Sequence, residues 1–486
     1  MAARLLRMGS LAAGAGGLAL LGLLAWRVPR EWLVAGVVCV LVFSLSFLRW
    51  RTGVAAALFL VVIEGALRKW VFPESQELIY WLKDVALAGA YARFYGARMI
   101  RHEWVVPAHP VNKWLAPLLL WGLAEALNPS LPNIMVGAFG LKAYFFYVPL
   151  FYMIPELVDR RAELMRFLGI YALGSLALSI LGIIQFFSPL DSPLVSYVTW
   201  EGGTGVSQVA MVGDFPRVTA TFPFISGYVA YLFTVVLLLL ALLNMQAGLS
   251  GRRRAALFCA LVLAVVNLFM TGSRWPIFSL LLLMPVFLLM AGDRVSARAR
   301  LFARVAVGLV VLSVLAFSFF GEAVGAFWDR TVTNREEAEH RIIDPMFEPF
   351  LFAPLARLVG SGIGSTHQAA RFLAGNTDPY SWLPTLDFEN EPGRIMLELG
   401  TVGFALFYLV KIAFLTSFWR LRRELADEDL RLLAAVAFCM HLAFFFWHTV
   451  FNVTAALYLW SLSGFLFLLP RLDEEEEPAV EAAGAA

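Results

Sequence analysis

Charged side chains are scarce in this sequence. They make up 15% of its 486 residues, whereas soluble domains carry about 25%. Hydrophobic residues account for 60%, and the mean hydropathy is +0.74. This composition excludes a soluble globular domain and predicts an all-α, polytopic transmembrane helical bundle in contact with the lipid bilayer. The net charge of +2 gives no indication of a nucleic-acid partner, and we expect none.

Cysteine is also rare. The three cysteines, Cys39, Cys259 and Cys439, all lie within apolar runs. This excludes a disulfide framework, and no His and Cys residues have the spacing of a zinc site. We interpret the cysteines as small buried hydrophobic residues and expect no bound metal.

Apolar runs of membrane-crossing length predict about fourteen spans, with twelve or thirteen as alternatives, in one integral membrane domain covering 1–486. The first run follows two arginines, as a signal peptide would, but the many later spans favour a retained first span. The runs are 8–26, 32–48, 53–67, 78–95, 112–127, 134–155, 164–188, 224–247, 255–271, 275–291, 305–320, 394–418, 432–448 and 452–470.

Arginine placement predicts the orientation of these spans. Arginine-rich segments such as 252–254, 294–304 and 420–423 alternate with short segments poor in Lys and Arg. Because positively charged loops stay in the cytoplasm, both termini are expected there. The tail, 471–486, is expected to be an acidic cytoplasmic segment, and its acidic run from Asp473 to Glu477 is expected to be disordered.

Two long connections then fall on the opposite, outer side, at 188–223 and 321–393. They contain Trp, Tyr, Phe and Pro rather than low-complexity polar sequence. Long loops of this kind are usually functional, so we expect ordered caps over the spans.

Two arginines face outward despite this bias. Arg217 lies in GDFPRVTATFPF, and Arg274 in MTGSRWPIF. The guanidinium group is planar, permanently charged and matched to phosphate oxygens. Each arginine alone is explained by snorkelling at a helix end. Together, with the Thr271-Gly272-Ser273 turn as a further source of donors, they favour a lipid-phosphate site.

Other charges within the apolar runs are interpreted as structural. Glu64, Arg68, Lys83 and Asp84 are expected to neutralise one another between the third and fourth spans, because ionisable groups at membrane depth need partners. The same interpretation applies to the isolated charges Glu125, Lys142, Glu398 and Lys411.

The outer connection 321–393 ends in a polar cluster. Gly360, Gly362 and Gly364 permit tight turns and close approach to a ligand. No strand precedes them and no P-loop lysine follows, which excludes a nucleotide-binding loop. His367 is a candidate general base for a sugar hydroxyl. The alternative is a solvent-exposed loop histidine.

The motif DFENEPGR adds carboxylates. Glu389 and Glu391 are candidate catalytic acids, orienting groups for His367, or acceptors for sugar hydroxyls. The alternative is an acidic cluster favoured by the dipole at a helix N-terminus. Arg394 is expected to bind phosphate or to pair with these acids.

Four motifs, taken in this order and on this side of the membrane, resemble the O-antigen ligase and O-antigen polymerase superfamily of bacterial envelope enzymes. They are RVTATF at Arg217, TGSR ending at Arg274, GxGxG with His367, and the re-entry ENEPGRIMLELGTVGF. The resemblance covers about 217–404. The first six spans share only the general character of the family.

The resemblance implies a helical fold like that of the C-type glycosyltransferases, with the long loops in the periplasm and the spans in the inner membrane. It implies inverting transfer of a glycan from undecaprenyl pyrophosphate to a hydroxyl of a glycan or lipid acceptor, without metal or nucleotide cofactor. By position, Arg217 and Arg274 would bind the pyrophosphate, and His367 would be the base of a ligase-like mechanism. Other polysaccharide-assembly proteins are possible partners.

Two departures from the ligase pattern are present. The predicted span count exceeds the usual ligase number, and the Arg217 motif lacks the Pro-Asn that often follows it. The cluster Glu389-Asn390-Glu391 is similar to that of polymerases, so polymerisation is favoured over ligation to lipid A core.

A lipid-linked oligosaccharide flippase or polysaccharide transporter is the competing class, because these also have about fourteen spans. Such a protein should show two related halves with broken helices and no large outer loop. The sequence shows no convincing internal repeat, and its long loop is placed asymmetrically, which favours the enzyme. A structural membrane subunit of an export machine is a third class.

Overall fold

The computed structural model describes residues 30–103, 106–198, 210–212, 214–245, 250–291, 335–374 and 390–484, with a few positions between 321 and 332. The predicted spans 8–26 and 305–320, and the candidate Glu389, lie outside the described residues. The described chain is mostly helical. Its two strands, β1 (Met211–Val212) and β2 (Phe215–Pro216), form a small antiparallel hairpin with Met211 opposite Pro216.

The chain divides into two compact units, Met1–Val105 and Val106–Ala486. The first contains α1 (Arg30–Leu48), α2 (Trp50–Ala66) and α3 (Gln76–Ile100), and α3 packs against both other helices. A π-helical turn, Leu67–Val71, extends α2.

Buried charges join α2 to α3 within this first unit. Glu64 accepts a hydrogen bond from Arg68 at 3.1 Å and lies 2.7 Å from the Lys83 Nζ. Lys83 also donates to the carbonyl of Tyr80 at 2.7 Å. The expected neutralisation is confirmed for these three charges, with Glu64 at their centre, and Asp84 is buried on the same helix.

The second unit contains the candidate functional residues. Its helices are α4 (Asn112–Glu125), α5 (Ile134–Phe145), α6 (Leu150–Met153), α7 (Arg161–Phe186), α8 (Ile225–Asn244), α9 (Gly251–Met270), α10 (Arg274–Ala291), α11 (Arg335–Ala356), α12 (Gln368–Leu373), α13 (Glu391–Glu424), α14 (Glu428–Ala443), α15 (Val453–Ser463) and α16 (Phe465–Gly484). Helix α8 is the core of the unit, since 94% of its most apolar window is buried. It packs against α7, α9, α14 and α15.

Seven helical segments among the described residues are long and apolar enough to cross a membrane, and a shorter apolar helix covers Leu33–Leu48. The chain is therefore a multi-pass helical membrane protein. The count of about fourteen spans and the single domain stay predictions. The seven segments are Ile134–Glu156, Arg161–Phe186, Ile225–Asn244, Gly251–Met270, Arg274–Ala291, Glu391–Glu424 and Val453–Glu474.

The connection predicted at 321–393 contains α11, a helix of 22 residues that includes three prolines. It packs along α13, where Phe352 and Ala356 contact Met396 and Leu397. This apolar contact makes the described part of the connection an ordered element, and its position as a cap over the spans stays a prediction.

The prediction that the acidic run from Asp473 to Glu477 is disordered is wrong, and the cytoplasmic position of the tail stays a prediction. Helix α16 continues to Gly484. The Asp473 carboxylate accepts hydrogen bonds from the backbone N–H groups of Ala426 (2.7 Å) and Asp427 (2.9 Å). These bonds tie α16 to the start of α14, a long-range contact that the local charge pattern does not reveal.

Candidate functional site

Helix α13 is broken at Gly400, whose φ of 67° lies in the left-handed region. The break frees backbone groups that a continuous helix would pair, and such groups need partners at membrane depth. The partners come from residues 357–362 and from one tryptophan. The bonds are Ser361 N–H to Leu397 O (2.8 Å), Gly362 N–H to Glu398 O (3.2 Å), Trp121 Nε1–H to Leu399 O (2.8 Å) and Thr401 N–H to Arg357 O (3.1 Å).

The glycine loop, residues 360–367, needs its glycines for this docking. Gly362 and Gly364 have φ values of 101° and 85°, which disfavour any side chain. A Cβ at Gly360 would lie 2.1 Å from the Glu398 carbonyl oxygen. The sequence predicted close approach to a ligand, but here the backbone that approaches these glycines belongs to the protein itself.

A buried polar cluster fixes the end of the glycine loop. The Glu398 carboxylate accepts from the Thr366 N–H (2.8 Å) and from the Thr366 hydroxyl (2.6 Å). Arg394 donates to the Thr366 carbonyl (2.7 Å) and to its hydroxyl (3.1 Å). The Arg394 guanidinium also lies 3.4 Å from the centre of the Phe451 ring. Arg394 therefore positions the loop, and its predicted contact with phosphate stays a prediction.

Glu391 is buried at the start of α13, with 1% of its surface exposed. Its carboxylate accepts four hydrogen bonds, from the Thr449 N–H (2.6 Å), the Thr449 hydroxyl (2.6 Å), the Val450 N–H (2.7 Å) and the Phe451 N–H (3.2 Å). The Lys411 Nζ lies 4.0 Å away. These contacts are those of a structural anchor, and the catalytic role of Glu391 stays a prediction without their support.

His367 caps the N-terminus of α12. Its Nδ1 accepts a hydrogen bond from the Ala369 N–H at 3.1 Å. Burial, with Arg394 and Lys142 nearby, lowers the pKa of His367 to about 3. A neutral imidazole that accepts at Nδ1 carries its proton on Nε2. His367 is therefore arranged as a hydrogen-bond donor, and its predicted role as a base gains no support from this geometry.

The two arginine motifs that were predicted to face outward meet. Arg217 donates from Nε to the Thr271 carbonyl (2.6 Å) and from a terminal nitrogen to the Ser273 hydroxyl (3.0 Å). Arg274 follows directly as the first residue of α10, and it is buried. Two motifs that are distant in sequence thus form one basic element.

Gln185 positions the Arg217 segment, a role that sequence analysis missed. Its side-chain oxygen accepts from the N–H groups of Thr219 (3.3 Å) and Ala220 (2.8 Å). Its nitrogen donates to the carbonyls of Leu194 (3.0 Å) and Ala220 (3.1 Å). Ala220 has a φ of 45°, a conformation that an alanine rarely adopts unaided. The sequence signal that could have indicated this role is an amide side chain near the end of the apolar run 164–188.

A short segment links the basic element to the glycine loop. This segment, residues 444–452, joins α14 to α15 and is held by Glu391. Trp447 in the segment stacks on Trp275, with ring centres 4.7 Å apart and planes 10° apart. Trp275 is the neighbour of Arg274. The segment therefore contacts both the helix that begins with Arg274 and the helix that carries Arg394.

Among the described residues, no group of three or more His, Cys, Asp or Glu side chains could hold a metal ion. Lys411 has a structural role, since it donates to the carbonyls of Phe444 and Phe445 at 2.9 Å each. The site offers fixed cations, which suit an anionic ligand. A scan against protein-family models and a search of the curated proteins both find no match to this chain.

Proposed function

We propose that this protein transfers a glycan from undecaprenyl pyrophosphate to an acceptor hydroxyl at the periplasmic face of the bacterial inner membrane. The product would be a polymerised or ligated O-antigen or exopolysaccharide. The observation that carries the proposal is the hydrogen-bonded contact of Arg217 with the Thr271–Ser273 turn beside Arg274. Two guanidinium groups brought to this turn would match the charge and shape of a pyrophosphate.

The chemistry of the proposed transfer follows from where negative charge develops during the reaction. The acceptor oxygen attacks the anomeric carbon from the face opposite the leaving group, which inverts the configuration. Negative charge then grows on the departing pyrophosphate, where fixed cations stabilise it without reorganisation. A divalent metal or a nucleotide is not needed for this step.

The fold supports the proposal through placement. The 444–452 segment brings the Arg274 helix and the Arg394 helix into contact with one connection. An acceptor held beside this connection would meet the donor at a defined distance, and such positioning lowers the barrier of a two-substrate reaction. The C-type glycosyltransferase fold is part of the same proposal. Polymerisation is favoured over ligation by the cluster that begins at Glu389.

Transport is the second candidate function. The break of α13 at Gly400 favours it, because transporters often have discontinuous helices at their substrate sites. The buried charges around Glu64 are also common in transporters. The long outer connection and the motif order favour the enzyme.

The test uses purified full-length protein and a defined undecaprenyl-pyrophosphate oligosaccharide, alone and with lipid A core. Longer lipid-linked chains indicate a polymerase, and transfer to the core indicates a ligase. Movement of the intact donor across a vesicle membrane, with no change in glycan length, would instead support the transporter.

A further inference from the structure

The 444–452 segment is held at both sides of its central residue. Before that residue, Trp447 stacks on Trp275, and the segment's first two carbonyls bind Lys411. After it, the backbone of Thr449, Val450 and Phe451 donates to Glu391. A connection fixed by this many contacts holds its side chains in defined positions.

His448 is that central residue. It is partly exposed, and its ring makes no hydrogen bond to any described residue of the chain. Other histidines of the same unit are engaged: His367 accepts from Ala369, His109 accepts from Val111, and His441 contacts the Ser463 hydroxyl. The ring nitrogens of His448 are therefore open to a ligand, and an acceptor hydroxyl is the ligand that the proposed reaction supplies.

The charges around His448 suit this role. Glu391, Arg394 and Lys411 act on its ring. Burial and the two cations lower the pKa of His448, and Glu391 opposes them. The ring is therefore neutral at neutral pH and has a lone pair to accept a proton.

We propose that His448 is the catalytic base of the glycosyl transfer, a role that rests on the proposed function. The acceptor oxygen forms a bond to the anomeric carbon as the bond from that carbon to the pyrophosphate oxygen breaks. The electron pair of the broken bond leaves with undecaprenyl pyrophosphate. The hydroxyl proton moves to a ring nitrogen of His448, which then passes it to water. The candidates for catalytic groups from the sequence were His367, Glu389 and Glu391.

The experiment compares purified full-length wild type, His448→Ala and a control variant, His102→Asn, each with a defined undecaprenyl-pyrophosphate oligosaccharide as donor. General-base catalysis is worth about 100-fold or more in rate. His448→Ala should lose about that factor in kcat, with KM for the donor unchanged within about threefold, and added imidazole should restore part of the rate. The wild-type rate should fall as pH falls through the pKa of His448, and this acid limb should be missing from the variant.

His102→Asn is the matched control, because His102 is exposed and its φ of 56° is one that asparagine tolerates. It should behave as wild type. Full activity of His448→Ala with an active wild type would overturn the role of His448 alone. Loss of kcat without imidazole rescue and with an unchanged pH profile would also overturn it. An inactive wild type would overturn the proposed function itself.

Discussion

The Nε of Arg217 donates to the backbone carbonyl of Thr271 at 2.6 Å. This bond fixes a guanidinium group from one connection beside the arginine that begins α10. A charge held in place before substrate arrives costs no reorganisation during the reaction. Substitutions of the residues that hold Arg217 and its segment therefore test the site as directly as a substitution of Arg217.

Gln185 provides the first prediction. Gln185→Leu has a similar volume but leaves the buried N–H groups of Thr219 and Ala220 without their acceptor. We expect it to lower the free energy of unfolding by about 1–3 kcal/mol, measured as thermal unfolding in detergent. Gln185→Glu keeps the acceptor but buries a carboxylate against the carbonyls of Leu194 and Ala220, so it should also be destabilising. Equal stability of Gln185→Leu and wild type would contradict the role of this side chain.

The break in α13 at Gly400 provides the second prediction. Gly400→Ala forces a Cβ into a left-handed position 2.4 Å from the Leu358 carbonyl oxygen. We expect a loss of about 2 kcal/mol or more in unfolding free energy. Gly174→Ala is the matched control, because nothing lies within 4 Å of its added Cβ. It lies inside α7 and should be neutral or slightly stabilising. Similar stabilities of the two variants would show that Gly400 does not need its conformation.

Glu391 distinguishes an anchor from a catalytic acid. Glu391→Ala leaves the N–H groups of Thr449, Val450 and Phe451 without an acceptor. We expect it to lower the free energy of unfolding by about 3 kcal/mol or more, and activity should fall in parallel. A Glu391→Ala protein that is fully stable and completely inactive would favour the catalytic role instead.

His367 gives a pH dependence. In the unfolded chain it takes up a proton near its ordinary pKa of 6.5, whereas in the folded protein it does so only at about 3. The unfolded state therefore binds more protons within this window, so His367 lowers stability as pH falls from 6.5 towards 3. His367→Asn keeps an N-cap acceptor but cannot titrate. Its thermal midpoint should change less than that of wild type between pH 7 and pH 4.5. Identical changes would contradict a buried, neutral His367.

The positions of the helices could be predicted from the sequence, because hydropathy and run length are local properties. The run predicted at 112–127 is the helix Asn112–Glu125, and the run at 224–247 is Ile225–Asn244. The sequence predicted only that Arg217 and Arg274 share a site with the Thr271 turn, and it did not predict the hydrogen bond from Arg217 to that turn.

The break at Gly400 could not be predicted, because the apolar pattern continues across it. Its cause is the pairing with residues 357–362, which are distant in sequence. The hydrogen bonds of Glu391 could not be predicted either, because their donors lie 58 to 60 positions further along the chain. The local sequence predicted this acid at a helix start, but it could not show that three backbone N–H groups donate hydrogen bonds to its carboxylate.

Glycan chain formation by purified Arg274→Ala, compared with wild type on the same lipid-linked donor, tests the proposed transfer most directly. Wild type should lengthen or transfer the glycan and release undecaprenyl pyrophosphate. Arg274→Ala should form no chains at an unchanged protein level, and Arg252→Ala, at the exposed start of α9, should match wild type. Normal glycan ladders from Arg274→Ala would contradict the pyrophosphate site and the function proposed for it.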